Sequence, residues 1–258
     1  MGKLRTFVSQ NFRRPITNRF VNPKMTPEAR NYLDNFSKIL NSTLNSCDEL
    51  FEYTKDKPMK EFIKVISPTI TKISIEQNQD LMYLPFHTML YLITKKLKPD
   101  IAVETGVQIG GSTHSILKAM TENSRGVLHS VDIGKFFVHD YKYVAYIAPL
   151  VTTEEEKHWK FTCGNSQKVL PSLVNKIGMF DLFCAGHTHT YEIQKHEGEL
   201  CWSHIRDGGI FVLDRADNND NRYLNEFLDK YSSEVDFHRT YKEGRASAGL
   251  EFTVILKK

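Results

Sequence analysis

The rhythm of apolar and polar positions changes once along this chain, near residue 100. Upstream, Tyr32, Leu33, Phe36, Ile39, Leu40 and Leu44 recur at helical spacing. Thr26 can cap that helix, Pro27 fits its first turn and Glu28 suits its dipole. A second helical stretch covers Glu76 to Leu97, with a break expected near Pro85, and Pro99 ends it. Downstream, short apolar runs predict strands at Ile101–Thr105, Val127–Ile133, Lys160–Cys163, Phe180–Ala185 and Ile210–Asp214. Helical patterns lie between and after them, around Ser112–Glu122, Ser166–Ile177, Tyr191–Ile205 and Asn219–Tyr231. Strand–helix alternation implies a parallel sheet covered on both faces. Two final runs, Val235–Tyr241 and Leu250–Leu256, follow without a long helix between them, which allows an antiparallel last strand.

Residues 1–75 therefore read as a basic arm with a helical extension, and 76–258 as one α/β domain. The extension reads as a cap on the same core. At 258 residues the chain can bury a full core. A hydrophobic share of 40% with 25% charged residues is that of an ordinary soluble globular protein. A net charge of +3 is too small to argue for a nucleic-acid partner. No apolar run reaches membrane-span length, and the first residues lack the apolar region of a secretory signal. Met1-Gly-Lys-Leu-Arg-Thr6 fits only a loose myristoylation pattern. Cys47, Cys163, Cys184 and Cys201 form no CxxC pair and read as reduced thiols, so a cytoplasmic location is expected.

Chemistry gathers at the expected strand ends. The first strand ends in Glu104-Thr-Gly106 and passes through Gly110-Gly111-Ser112 into a helix. A strand that breaks at glycines and then starts a helix builds a pocket for a nucleotide-like ligand. The second strand ends in Asp132, whose carboxylate can accept bonds from two ribose hydroxyls. The third ends in Gly164-Asn165-Ser166. Lys135–Tyr146, rich in aromatics, suits either a lid or a buried helix.

In order and spacing these motifs resemble class I S-adenosylmethionine-dependent methyltransferases, nearest the metal-dependent O-methyltransferases of sugars and natural products. The resemblance implies a Rossmann-like methyltransferase fold, a mostly parallel seven-stranded sheet with an antiparallel last strand, behind the α-helical N-terminal extension. It implies S-adenosylmethionine as cofactor, held by Glu104, Gly106, Gly110, Ser112, Asp132, Gly164, Asn165 and Ser166. Glu104 would meet the ligand's ammonium, and Asn165 the adenine amino group. The acceptor would be a small molecule, acidic or hydroxylated. A homo-oligomer is expected from the extension and its arm.

The catalytic region departs from that pattern. Where the family has Asp-Gly-Asp-His-Ser-Tyr-Glu, this chain has Gly186-His187-Thr188-His189-Thr190-Tyr191-Glu192, and an Asp-Asp pair has become Asp214-Arg215. A hard cation needs several oxygen ligands, so the usual Mg²⁺ site is expected to be lost. His189 is then the candidate base. Arg215 is the candidate charge beside the acceptor, next to Asp214. His187, His189 and Asp214 could instead form a two-His, one-carboxylate transition-metal site. Two other outcomes stay open: a different reaction on S-adenosylmethionine, such as an intramolecular displacement or lyase step, or a non-catalytic binding subunit.

Overall fold

The computed structural model describes residues 26–76, 83–134, 136–139, 142–186, 190–215, 222–242 and 251–258. The side chains of 74–76, 136–139, 142–146 and 215 are outside that description. The basic arm, His187 to His189 and the residues after Arg215 up to 221 also lie outside it.

The chain opens with α1 (Pro27–Asn45), capped as expected: Thr26 Oγ1 accepts from the Ala29 amide at 3.2 Å. Two further helices, α2 (Asp48–Thr54) and α3 (Met59–Glu76), fill the extension. The next helix, α4 (Leu84–Leu97), has Pro85 in its first turn, where a break was expected. Proline belongs in a first turn, whose N–H groups need no helical acceptor, so here it marks a beginning.

Strand and helix then alternate: β1 (Ile101–Thr105), α5 (Gly111–Asn123), β2 (Val127–Asp132), β5 (Trp159–Cys163), α6 (Ser166–Ile177), β6 (Phe180–Ala185), α7 (Tyr191–Trp202), β7 (Ile205–Arg215) and α8 (Arg222–Lys230). The chain closes with β8 (Val235–Lys242) and β9 (Glu251–Lys257). Between β2 and β5 comes a separate antiparallel pair, β3 (Phe136–His139) and β4 (Lys142–Tyr146). The aromatic segment is thus a hairpin and not a buried helix. Its Phe, Val and Tyr residues favour extended backbone.

The main sheet has seven strands in the order β5-β2-β1-β6-β7-β9-β8. Strands β5, β2, β1, β6 and β7 pair in parallel, and β9 runs antiparallel between β7 and β8. The expected architecture holds. One boundary moves: Ile205 opens β7 and does not close α7. Its register with β6 shifts after Phe180↔Ile205, so that Leu182 faces Ile210. The intervening Asp207-Gly208-Gly209 turn absorbs the extra residues as a bulge.

One apolar cluster joins the extension to the sheet, through Phe36, Leu40, Phe62 and Ile66 with Ala102, Leu128 and Val254. The other lies on the opposite face, around Phe183, Phe211, Trp202 and Phe227. Cys47, Cys184 and Cys201 are buried and Cys163 is exposed. Among the described residues no helix is long and apolar enough to cross a membrane.

Candidate functional site

The site forms where strand order reverses. From β1 the chain proceeds outward through β2 to β5, then returns to place β6 on the other side of β1. Loops leaving β1 and β6 therefore diverge and open a crevice at the carboxyl ends of the strands.

Three backbone bonds extend the sheet into this crevice. The Gly106 amide donates to Val131 O (2.9 Å), Gly164 to Asp132 O (2.8 Å) and Gly186 to Thr105 O (2.8 Å). They hold the segments leaving β1, β5 and β6 against the ends of neighbouring strands. The β1 loop is held further by Asp132, whose Oδ2 accepts from the Val107 amide at 2.8 Å and the Gln108 amide at 3.3 Å. Its Oδ1 accepts from the Gly134 amide at 2.8 Å. Carboxylate oxygens carry more than one lone pair each, so Asp132 keeps acceptor capacity for a ligand.

A second segment closes on this loop. Ala148 N donates to Gln108 O at 2.8 Å, and both residues have positive φ, 56° and 45°. Non-glycine residues in that region cost energy and persist where surroundings hold them. Gly110, at φ 85°, packs so closely that a Cβ would lie 2.8 Å from Ala148 Cα. Gly110→Ala should therefore cost about 2 kcal/mol or more, from the left-handed backbone and the overlap together. A thermal melt should show the midpoint fall by roughly 5 °C or more.

Glu104 is fully buried, facing inward from the loop. Its Oε1 accepts from Ser112 Oγ (2.5 Å), and its Oε2 from Thr113 Oγ1 (2.8 Å) and Ser130 Oγ (2.7 Å). Burial pushes this carboxyl up to about 7 against the pull of the three hydroxyls, and Asp132 adds to the rise. Ser130 Oγ also accepts from Trp159 Nε1 at 2.9 Å. The expected ligand residues Glu104 and Ser112 thus bond to each other and tie β1, β2 and α5 together.

The remaining positions lie on β6, β7 and the starts of α6 and α7. Asn165 caps α6, and its Oδ1 is buried with no hydrogen-bond partner among the described residues. Ser166 is buried in the first turn of α6. Asp214 is buried near the end of β7, and Gln194 Nε2 donates to its backbone oxygen at 3.4 Å. Asp214 and Glu104 both act on the buried Cys184 thiol, which burial first of all pushes well up. Arg215 continues β7 on its backbone. Gly186 stands at the end of β6, and Thr190 precedes α7. Among the described residues no group of three His, Cys, Asp or Glu could hold a metal ion. His187 and His189 lie outside them.

Sequence reasoning missed two parts of this region. Glu197 on α7 accepts from Thr105 Oγ1 at 2.7 Å, tying the end of β1 to a helix 92 residues away. The Ile147–Val151 segment carries no motif; its role rests on the fit of Ala148 against Gly110. A glutamate on a helix otherwise expected to pack was the only available signal for the first.

Residues 103–215 match a family model described as a methyltransferase domain. No curated protein sequence matches the chain. Among solved structures, the fold is similar to the O-methyltransferase TomG from Streptomyces achromogenes, involved in tomaymycin synthesis and solved with SAM. That likeness has 14% identity and a TM-score of 0.55, over 78% of this chain and 99% of that one. It is similar also to an O-methyltransferase from Bacillus cereus in complex with SAH, with 14% identity and a TM-score of 0.51, over 83% of this chain and 100% of that one. The described crevice thus lies in the segment that matches the methyltransferase-domain model, on a Rossmann-like fold.

Proposed function

We propose that the protein transfers a methyl group from S-adenosylmethionine to a hydroxyl of a small-molecule acceptor, and does so without the Mg²⁺ site of the family it resembles. The observation that carries the cofactor assignment is the pairing of Asp132, with spare acceptor capacity, and Asn165, with a buried Oδ1 lacking a partner among the described residues, on adjoining strand ends. A nucleoside presents donors of matching kind: two ribose hydroxyls and an adenine amino group.

The rest of the crevice suits the other end of that cofactor. Gly106, at φ 84°, turns the backbone through a left-handed conformation that a side chain would strain. The α5 N-terminus offers N–H groups to an anion, while the carboxylate of Asp132 at the end of β2, with Asp214 near the end of β7, favours a cation. S-adenosylmethionine supplies an electrophilic methyl on a positively charged sulfur. His189 takes the acceptor's proton in this reading, and Arg215 with Asp214 holds the acceptor. The metal-free reading rests on Gly186, Thr188 and Arg215, none of which offers the carboxylate that a hard cation needs. Natural-product acceptors, a cytoplasmic setting and a homo-oligomer built through the N-terminal arm complete the proposal.

Calorimetric titration of S-adenosylmethionine in EDTA, repeated in Mg²⁺, tests it. Binding near micromolar, about −8 kcal/mol, that ignores the metal supports the reading. S-adenosylhomocysteine formed with hydroxylated acceptors in EDTA supports it further. No binding in either buffer overturns the cofactor assignment, and turnover that requires Mg²⁺ overturns the metal-free one. Methylthioadenosine as the product identifies a displacement on the cofactor itself and overturns methyl transfer.

A further inference from the structure

One polar side chain at the crevice end of the fold has no role in the reading above. Helices α4 and α5 run side by side in the same direction. His87 meets Gly111 at their starts, and Asn123 Nδ2 donates to Thr94 O (3.3 Å) and Lys95 O (3.2 Å) at their ends. Both N-termini therefore lie at the carboxyl ends of the strands, where the crevice opens. Residues 84–94 of α4 are all buried, and His87 is the only one of them with a titratable side chain in the pH range of life. It keeps 7% of its surface exposed.

The imidazole occupies the space that a side chain on Gly111 would fill. A Cβ there would lie 2.5 Å from His87 Cε1 and 2.7 Å from Nε2. The ring is thus seated on the first residue of α5. Phe36, Tyr83 and Phe86 surround it, with ring centroids at 5.9, 6.2 and 5.7 Å. Aromatic faces offer no strong acceptor, and His87 Nδ1 is buried without a hydrogen-bond partner among the described residues. Burial, with His114 adding repulsion, holds the imidazole down to about 3, so the ring is neutral and carries one N–H. An unpaired buried donor or acceptor costs about 1–3 kcal/mol, and such a group at a crevice calls for an explanation.

The first turn of α5 has no side-chain cap. Its cap, Gly110, has no side chain to offer, and the turn contains no acidic residue. The hydroxyls of Ser112 and Thr113 are turned inward to Glu104. Nothing on α5 itself thus answers the positive end of its dipole.

We infer that His87 is a binding residue of the cofactor site, donating a hydrogen bond to the carboxylate of the amino-acid moiety seated at the N-terminus of α5. The inference rests on the S-adenosylmethionine reading and assigns to α4, outside the matched segment 103–215, a part in recognition. A neutral donor supplements the helix amides without bringing a second buried charge beside them.

Two ligands that differ at the amino-acid end provide the test. S-adenosylhomocysteine carries the carboxylate, and 5′-methylthioadenosine keeps the nucleoside and sulfur without it. In His87→Phe, which keeps a flat ring but loses the donor, S-adenosylhomocysteine affinity should fall about 10- to 100-fold, the scale of one hydrogen bond to a charged group. Methylthioadenosine affinity should stay within about twofold of wild type, since no hydrogen bond to it is lost. His87→Asn, smaller and still a donor, should lose less than His87→Phe. Equal losses for both ligands, or no loss for either, overturn the assignment. Wild-type protein that binds methylthioadenosine as tightly as S-adenosylhomocysteine also overturns it, while leaving the nucleoside pocket intact. Wild-type protein that binds neither overturns the cofactor reading beneath it.

Discussion

Glu104→Gln is expected to be more stable than wild type at pH 8 and to lose that advantage near pH 4. In the folded protein Glu104 titrates near 7, raised by burial from an ordinary value of 4.5. The folded state thus holds a proton that the unfolded chain releases between those two values. Its stabilising contribution is complete below about pH 4.5 and disappears as pH rises through about 7. A shift of this size corresponds to about 3 kcal/mol across the window. Glutamine stays neutral throughout and keeps an oxygen for the hydroxyls of Ser112, Thr113 and Ser130, which can rotate to meet its amide. Denaturant midpoints of both proteins at pH 4, 6 and 8 check this. Parallel curves would mean that Glu104 titrates normally and that its burial has been relieved in solution.

The largest loss of binding should come from Asp132→Ala. The carboxylate does two things at once: it accepts from three backbone amides, of Val107, Gln108 and Gly134, and it presents remaining lone pairs to the crevice. Alanine leaves those amides without their acceptor and releases the loop that positions Gly106 and Gly110. Charge-assisted bonds are worth about 1.5–3 kcal/mol each, so the loss of two or more toward loop and ligand predicts at least a 100-fold rise in the dissociation constant for S-adenosylhomocysteine, or about 3 kcal/mol. Asp132→Asn retains one acceptor oxygen and should lose less. Calorimetry on the three proteins decides the matter. Affinity unchanged in Asp132→Ala would remove this residue from the cofactor site.

Both predictions show what local sequence discloses. The parallel strands were legible because they are buried on both faces and read as unbroken apolar runs, as in Phe180-Asp-Leu-Phe-Cys-Ala185. Asp132 was legible because its place at a strand end is set by the strand itself. The hairpin of Phe136–His139 and Lys142–Tyr146 was not, since short aromatic runs fit a helix or a strand equally until a partner is known. Pro85 gave the right residue with the wrong meaning, because a proline that interrupts and one that initiates differ only in what precedes them. Glu104 was placed correctly on β1, but its direction was not readable. Its partners Ser112, Thr113 and Ser130 lie 8, 9 and 26 residues away, and only the folded α5 and β2 bring them to one point. The extension was expected as a helical cap, yet α2 and α3 were not resolved within it. Pro68 inside α3 disguises a helix whose Phe62, Ile63, Ile66 and Ile70 are all fully buried.

The three amide bonds that continue the sheet into the crevice, from Gly106, Gly164 and Gly186, run from backbone to backbone. Such a frame is indifferent to the side chains that ride on it. The segments beyond can exchange carboxylates for glycine, threonine or arginine without remodelling their support. The scaffold thereby uncouples inheritance of a binding frame from inheritance of a particular chemistry. In this chain Asp132 and Asn165 stand at two of the strand ends joined by this frame, while Gly186, itself a donor in it, and Thr188 and Arg215 carry no carboxylate.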